Sequence, residues 1–177
     1  QKKPITFLNV LLHKGTIPNA LLFTGPDGVG KRDAAFAFAM AANCPRKDSG
    51  SRGLEDESVF APRKSAFPME PCGVCRSCGK FESGNHPDLI RVEPTGQFTR
   101  ISQIRELRQI LSMKPFEARL RVVIIGEAGT MNAEAANALL KVLEEPPNRT
   151  LLILIAPQKS DLLPTIVSRC LHIRFHP

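Results

Sequence analysis

The 177 residues have room for one domain of ordinary size with a proper hydrophobic core, whereas two full domains would be cramped. Hydrophobic residues make up 42% and charged residues 23%, which excludes a wholly disordered or fibrous chain. The net charge of +7 permits contact with nucleic acid without demonstrating it. Because no apolar run approaches the roughly 20 residues of a membrane-spanning helix and no secretory signal pattern is visible, we expect a cytoplasmic protein without membrane contact.

Apolar periodicity and glycine-rich turns predict alternating helices and strands along the chain. In chain order we expect a helix at 5–12, a strand at 20–24, a helix at 33–43, a strand at 89–92, a helix at 101–111, a strand at 121–125, a helix at 133–145, a strand at 151–155, a short helix at 163–168 and a strand at 171–175. The strands are nearly continuous apolar runs, which is typical of a parallel sheet covered on both faces. The sequence therefore predicts a doubly wound α/β fold, whose ligands bind at the carboxyl ends of the strands.

A glycine loop separates the first predicted strand from the second predicted helix. Its residues, Gly25-Pro26-Asp27-Gly28-Val29-Gly30-Lys31, match the first seven positions of the phosphate-loop pattern G-x-x-x-x-G-K-[ST]. The eighth position requires a hydroxyl for a magnesium ion, but here it is Arg32, which cannot ligate a cation. We expect a nucleotide site without one magnesium ligand, formed by Gly25, Gly28, Gly30, Lys31 and Arg32. A tight turn that binds no ligand is the alternative.

The second element of a nucleotide-hydrolysing site is an acidic pair at the end of a central apolar strand. The strand at 121–125 ends in Gly126-Glu127, so a glycine stands where the metal-binding Asp is required. Arg32 and Gly126 together mean that two independent magnesium ligands are missing. The sequence therefore predicts weak or absent ATPase activity and no bound magnesium. Any ATP or ADP is expected to bind weakly or not at all, with Lys31 and the loop amides holding ADP or phosphate without the metal ion.

Two segments in the second half of the chain carry a more specific resemblance. The stretch AANALLKVLEEPP at 135–147 and the later stretch LPTIVSRC at 163–170 closely resemble bacterial DNA polymerase III clamp-loader subunits, which are AAA+ proteins. The resemblance extends from the first predicted helix to the last strand and leaves only the loop after Cys44 unmatched. It implies a P-loop AAA+ domain over 1–177, with the helical lid and the C-terminal oligomerisation domain of the family expected after Phe175.

The degenerate magnesium motifs favour one branch of this family. Its gamma/tau subunits hydrolyse ATP, whereas its delta-prime subunits often lack intact motifs, so Arg32 and Gly126 indicate a delta-prime-like subunit. The resemblance implies that Arg169, in the tripeptide Ser168-Arg169-Cys170, acts in trans as an arginine finger on the ATP of an adjacent gamma/tau subunit. Composition alone would instead pair Arg169 with a surface carboxylate.

The resemblance also implies partners. These are the gamma/tau and delta clamp-loader subunits, the sliding clamp within the complex, and primer-template DNA. Arg100, Arg105 and Arg108 form either a solvated face or part of a chamber that holds duplex DNA through its phosphates. Two other functions stay open at this point: a gamma/tau-like ATPase, which the retained Gly30, Lys31 and Glu127 support, and a DNA-binding zinc protein with a vestigial nucleotide fold.

Four of the five cysteines have the spacing of a metal site. Cys72, Cys75 and Cys78 form C-x2-C-x2-C, and Cys44 follows a predicted helix that could bring it alongside, which gives the four thiolates of a structural zinc site. Gamma and delta-prime subunits are similar in carrying a zinc module here, so we expect a loop over 45–71 and an inserted zinc module over 44–86. An iron–sulfur cluster and disulfides are the less favoured alternatives.

Overall fold

The computed structural model describes residues 2–45 and 71–177. Its helices are α1 (Lys2–Lys14), α2 (Lys31–Asn43), α3 (Arg76–Glu82), α4 (Ile101–Leu111), α5 (Ala133–Glu144) and α6 (Pro164–Val167). Its strands are β1 (Ala20–Thr24), β2 (Leu89–Val92), β3 (Arg121–Ile125), β4 (Thr150–Ala156) and β5 (Leu171–Arg174). Every helix and strand predicted from the sequence is present with small differences at its ends, and α3 was not predicted. The loop prediction for 45–71 falls, except at its two ends, outside the described residues.

The five strands form one parallel sheet in the order β2-β3-β4-β1-β5. The central strand β4 has all seven residues buried, because helices cover both faces of the sheet. The predicted α/β class with a central parallel sheet flanked by helices is therefore confirmed. All strands point their carboxyl ends to the same edge, so the loops that follow β1, β2, β3 and β4 meet there.

Two hydrophobic clusters lie on opposite faces of the sheet. Leu21 and Phe23 of β1 face the first cluster, where they join Phe38 of α2, while Leu22 between them faces the second cluster with Leu139 of α5. This alternation follows from the two-residue period of a strand. Because β1 is apolar on both faces, it can lie only in the interior of the sheet, and this fixes the loop that follows it over the centre of the carboxyl edge.

A buried ion pair joins the start of β2 to the start of β3. Asp88 is 1% exposed, accepts the Nε–H of Arg121 at 3.3 Å, and also accepts the backbone N–H groups of Phe116, Glu117 and Ala118 at 2.8 Å each. Arg121 donates in turn to backbone oxygens at the end of α4 and beyond it. The pair thereby fixes the loop between α4 and β3 at the edge of the sheet opposite the phosphate loop.

Within residues 2–45 and 71–177, the helices are all too short or too polar to cross a lipid bilayer.

Candidate functional site

The phosphate-loop motif joins β1 to α2 at the carboxyl edge of the sheet. Gly25 has a φ of 147°, and a Cβ at this position would lie 2.5 Å from the backbone oxygen of Phe175, so only glycine fits. Its N–H donates to the backbone oxygen of Pro157, just after β4, at 3.0 Å. Gly30 begins α2 with a left-handed φ of 83°. The loop therefore has the strand–turn–helix context that the motif requires.

Lys31 is the buried cation of the loop, and only 6% of it is exposed. Its ammonium group donates hydrogen bonds to the backbone oxygens of Gly25 and, at 2.7 Å, of Pro26. It also lies 3.5 Å from the carboxylate of Asp27. The charge of Lys31 is therefore directed at acceptors of its own loop.

A cavity of about 750 Å³ opens beside this loop. Predicted site residues that line it are Gly28, Gly30, Lys31, Arg32 and Glu127. Asp27, Asp33 and Asp161 line it as well, so carboxylates outnumber cations on its wall. Gly25 lines the adjoining cavity instead. The structure thus brings the predicted nucleotide residues to one edge of the sheet and surrounds them with acidic groups that the motif does not specify.

Arg32 is held by two carboxylates. Its Nη1 and Nη2 atoms donate to the two carboxylate oxygens of Glu93 at 3.2 and 3.1 Å, and its Nη2 also donates to Glu127 at 3.1 Å. The two-point contact with Glu93 is the fork geometry in which guanidinium binds carboxylate best. Glu127 contacts Arg32 from a left-handed backbone conformation with a φ of 52°. Non-glycine residues rarely adopt this conformation, and those that do are often found at functional sites.

Glu93 is the site residue that sequence reasoning missed. It follows β2 directly, and β2 pairs with β3, so the chain brings it beside Gly126 at the end of β3. A Cβ built on Gly126 would lie 2.3 Å from one carboxylate oxygen of Glu93 and 2.7 Å from the other. The signal that could have found it is its position, since a carboxylate directly after a strand of a parallel sheet lies at the ligand edge.

Magnesium does not fit this arrangement. In a phosphate-loop site a hydroxyl and a carboxylate hold the ion, and here these positions are Arg32 and Gly126. The nearby carboxylates of Glu93 and Glu127 both accept hydrogen bonds from the guanidinium, which carries its own positive charge. A magnesium ion would therefore have to displace the Arg32 guanidinium, which already binds Glu93 and Glu127, the carboxylates that remain to hold the ion.

The four predicted thiols form one cluster. The Sγ atoms of Cys44, Cys72, Cys75 and Cys78 all lie within 4.8 Å of one another, and those of Cys72 and Cys78 are 3.9 Å apart. A tetrahedral ion with metal–sulfur bonds of about 2.3 Å requires sulfur atoms about 3.8 Å apart. The cluster therefore fits such an ion, and all five cysteines are free of disulfides.

Local backbone geometry prepares the cluster for a metal ion. Backbone N–H groups of Val74 and Cys75 lower the pKa of Cys72 to about 6, so this thiol is largely ionised at neutral pH. Burial raises the pKa of Cys78, whose own N–H donates to Cys75 Sγ at 3.3 Å. The exposed Cys72 thus supplies an ionised sulfur, whereas the buried Cys78 keeps its proton until a metal ion replaces it, because a buried sulfur anion is costly without a cation.

His86 is a buried histidine that does not belong to the cysteine cluster. Its ring packs on Phe81 of α3 with 4.3 Å between the ring centres, its Nδ1 accepts the N–H of Asp88 at 3.2 Å, and burial lowers its pKa. These contacts give His86 a structural role.

Arg169 lies far from the phosphate loop in the topology of the sheet. It lies two residues before β5, and Leu171 of β5 pairs with Leu21 near the start of β1, so Arg169 is at the amino edge whereas the loop is at the carboxyl edge. Its Nη1 donates to Thr165 O at 3.0 Å and its Nη2 to Glu144 at 2.9 Å. The Arg169 side chain is 37% exposed.

The helix α4 carries the three arginines that the sequence analysis singled out. Arg100 precedes the helix as its N-cap, and Arg105 and Arg108 lie within it, and all three are exposed. Their exposure is required both by a solvated face and by a surface that contacts DNA phosphates, so both interpretations stay open.

A parallel sheet in the order β2-β3-β4-β1-β5, with a phosphate loop between β1 and α2, defines a P-loop α/β domain of the AAA+ class. The chain belongs to the family described as "DNA polymerase III, delta subunit", whose model matches residues 1–177. The resemblance to clamp-loader subunits drawn from the sequence is thereby confirmed.

Individual relatives agree with this family. The chain is 38% identical over 177 residues to DNA polymerase III subunit delta' of Bacillus subtilis, covering 100% of this chain and 48% of the relative. It is 36% identical over 154 residues to the Pseudomonas aeruginosa delta' subunit, covering 86% and 41%. It is 32% identical over 176 residues to subunit tau of Escherichia coli, covering 99% and 24%. The chain thus spans about half or less of each of these curated relatives.

Solved structures support the fold. A gamma subunit-related protein of DNA polymerase III from Thermotoga maritima superposes with a TM-score of 0.62 at 21% identity, covering 97% of this chain and 45% of that chain. The RuvB Holliday junction branch migration motor of the same organism superposes with a TM-score of 0.54 at 13% identity, covering 99% and 43%.

Proposed function

We propose that this chain is the N-terminal AAA+ domain of a delta-prime-like clamp-loader subunit that does not hydrolyse ATP and supplies Arg169 in trans to the ATP site of an adjacent gamma/tau subunit. The subunit would act in the cytoplasm as a stator during loading of the sliding clamp on primed DNA, together with the gamma/tau and delta subunits. The lid and oligomerisation domains would follow Phe175 in the whole protein.

The observation that carries the proposal is the separation of the two halves of an ATPase site. The domain's own phosphate loop lies at the carboxyl edge of the sheet, where Arg32 and Gly126 replace the expected magnesium ligands. Arg169 lies at the amino edge with an exposed guanidinium, so it cannot serve its own loop but is accessible to a neighbouring subunit. A planar guanidinium can stabilise the charge that spreads over a transferring phosphoryl group.

The zinc module is the second part of the proposal. We assign Cys44, Cys72, Cys75 and Cys78 as the ligands of one structural zinc ion, supported by sulfur distances that fit a tetrahedral ion. The ion would link the end of α2 to the start of α3 and so hold together the two ends of the inserted loop within the module at 44–86. Four thiolates leave no open coordination position, which is the property of a structural rather than a catalytic site.

A gamma/tau-like ATPase is the second candidate. Gly30, Lys31 and Glu127 are retained and line one cavity, and tau subunits are among the relatives. This candidate requires a magnesium ion in a place where the residues do not fit one, so we rank it second.

Clamp loading by purified subunits tests the proposed function. Full-length protein is combined with gamma/tau, delta, the sliding clamp, primed DNA and ATP, and the clamp retained on DNA is measured with and without this subunit. We expect loading to require the subunit, to survive Lys31→Ala, and to fall sharply with Arg169→Ala. Full loading without the subunit would contradict the proposal, and loss of loading with Lys31→Ala would favour the gamma/tau-like alternative.

A further inference from the structure

The carboxyl edge of the sheet holds an ion cluster that neither the phosphate-loop motif nor the family relationship specifies. Arg32 at the start of α2, Glu93 after β2 and Glu127 after β3 are joined by three hydrogen bonds of 3.1 to 3.2 Å. We call these three residues the arginine triad. They connect three separate elements at the place where a phosphate-loop protein holds its metal ion.

We propose that the Arg32 guanidinium, clamped between Glu93 and Glu127, is a built-in cation that takes the place of the divalent metal ion and closes this cavity to nucleotide. The inference deepens the non-hydrolysing part of the proposed function and rests on it for the identity of the site. It assigns a role to Glu93 and gives a physical reason for glycine at position 126.

Gly126 and Glu93 lie in close steric contact at the ends of β3 and β2. Gly126 has no backbone conformation that calls for glycine, since its φ lies outside the left-handed region. The obstacle to a side chain there is Glu93, whose carboxylate oxygens would lie 2.3 and 2.7 Å from a Cβ. Since Glu93 is a flexible side chain that is 45% exposed, a Cβ at position 126 would push its carboxylate away from Arg32 rather than be excluded. Glycine at position 126 thus leaves the Glu93 carboxylate free to contact Arg32.

In the described part of the chain, the charges that line the cavity leave no cation free for a phosphate chain. The triad combines one guanidinium with two carboxylates, and Lys31 is directed at the backbone oxygens of Gly25 and Pro26 and at Asp27. Both cations of the cavity are thus already matched by acceptors. Asp33 and Asp161 add further negative charge to the wall. A phosphate chain without a metal would meet net repulsion, and a metal ion would meet the guanidinium.

The guanidinium of Arg32 is fixed in orientation by its hydrogen bonds. Both N–H bonds on Nη2 and one on Nη1 point to the carboxylates, which fixes the plane of the guanidinium. Because the contact with Glu93 is two-pronged, the group cannot rotate away without losing two hydrogen bonds at once. A lysine at this position could make only a point contact, so the triad depends on arginine specifically.

Removal of the guanidinium should expose a divalent-cation site. Arg32→Thr restores the hydroxyl of the phosphate-loop pattern and leaves Glu93 and Glu127 facing the vacated space. Full-length, zinc-loaded protein is titrated with Mn²⁺ as the probe, and free Mn²⁺ is followed by electron paramagnetic resonance. We expect no binding by the wild type and one Mn²⁺ per chain of the variant, with a dissociation constant of about 1 mM or lower.

Two controls separate the triad from a simple change of charge. Arg105→Thr removes one exposed arginine of α4 and should bind no Mn²⁺. The double variant Arg32→Thr/Glu93→Gln should bind Mn²⁺ at least tenfold more weakly than Arg32→Thr. Folded Arg32→Thr that binds no Mn²⁺, or equal binding by the two variants with and without Glu93, would overturn the proposal.

The wild type supplies an independent test that needs no substitution. Calorimetric titration of full-length wild type with ATP, with magnesium or with a chelator, should give no binding in either condition. Binding of Mg-ATP by the wild type would overturn the proposal even if Arg32→Thr failed to fold. Such a result would leave the action of Arg169 on a partner untouched, so the two proposals can fail separately.

Discussion

The guanidinium of Arg169 forms an ion pair with Glu144, the last residue of α5, with 2.9 Å between Nη2 and the carboxylate oxygen. The side chains are 37% and 50% exposed, so water screens the pair. An exposed pair of this kind contributes about 0.2–1 kcal/mol. Under the proposed function, the pair is therefore weak enough to break when the phosphate of a neighbouring ATP offers Arg169 a more negative partner.

The first prediction is that Glu144→Gln makes Arg169 easier to release. The Arg169–Glu144 ion pair contributes about 0.5–1 kcal/mol, which must be given up before Arg169 can contact ATP. Its loss should raise ATP turnover by a mixture of this protein and gamma/tau about two- to fivefold at subsaturating ATP. Steady-state turnover over a range of ATP concentrations measures this effect, and Glu145→Gln is the control at the adjacent exposed carboxylate. A fall in turnover to the level of Arg169→Ala would contradict the release and would show that Glu144 orients the finger.

The second prediction concerns the coupling between Gly126 and Glu93. Gly126→Ala gains about 0.4–1 kcal/mol because alanine restricts the unfolded chain, but it displaces Glu93 from Arg32 at a cost of up to about 1 kcal/mol. We therefore expect almost no net change in the free energy of unfolding in the wild type and a gain in the Glu93→Ala background. Urea unfolding of the four proteins measures the coupling. Equal effects of Gly126→Ala in both backgrounds would refute it.

The third prediction is that the Asp88–Arg121 pair governs acid stability. Burial raises the pKa of Asp88, but three backbone N–H donors and Arg121 outweigh that effect and hold it below the ordinary 3.8. A depressed folded pKa stabilises the protein above the unfolded value, and this contribution is lost as the pH falls through the lowered pKa. Asp88→Asn should cost about 3–5 kcal/mol at neutral pH, since it leaves Arg121 buried without its partner.

Unfolding monitored between pH 2 and 7 measures this loss. The free energy of unfolding of Asp88→Asn should fall less steeply below pH 4 than that of the wild type. Glu106→Gln, the same change at an exposed position of α4, should cost less than about 0.5 kcal/mol. If Asp88→Asn kept the acid dependence of the wild type, the assignment to Asp88 would be wrong.

The fourth prediction is that the protein contains one zinc ion whose removal destabilises the domain. Chelation, or Cys72→Ser, should lower the melting temperature by about 5 °C or more, because the buried Cys44 and Cys78 lose the cation that they share with the other two thiols. The matched control is Cys170→Ser, since burial raises the pKa of Cys170 to about 11 and keeps it a thiol. Elemental analysis and thermal unfolding supply the readouts. Stoichiometric iron, or no metal with unchanged melting, would exclude the zinc module.

Most of the fold could be predicted from the sequence because its signals are local. The apolar run of β4 and the Asn132 N-cap of α5, which accepts the N–H of Ala135 at 2.8 Å, act through neighbours in the chain. The helix α3 was missed because its seven residues, RSCGKFE, carry too little apolar periodicity. The helix begins at the cysteine knuckle, where Cys75 Sγ accepts the N–H of Cys78.

The candidate site could be predicted only in part. The phosphate-loop residues share one motif, so the sequence located them together. Glu93 lies 61 positions from Arg32 and belongs to no motif, and only the pairing of β2 with β3 brings it to the site. Likewise, the sequence could place Arg169 in a tripeptide but could not show that Glu144 accepts its hydrogen bond.

The most direct test of the central claim is steady-state ATP turnover by full-length protein mixed with intact gamma/tau, compared with each protein alone. An arginine finger contributes about 10³ to 10⁵ in rate at the site it serves. The account predicts no turnover by this protein alone, and a mixture that is slowed by Arg169→Ala but not by Lys31→Ala. Turnover by this protein alone, or a mixture that Arg169→Ala leaves unchanged, would contradict it.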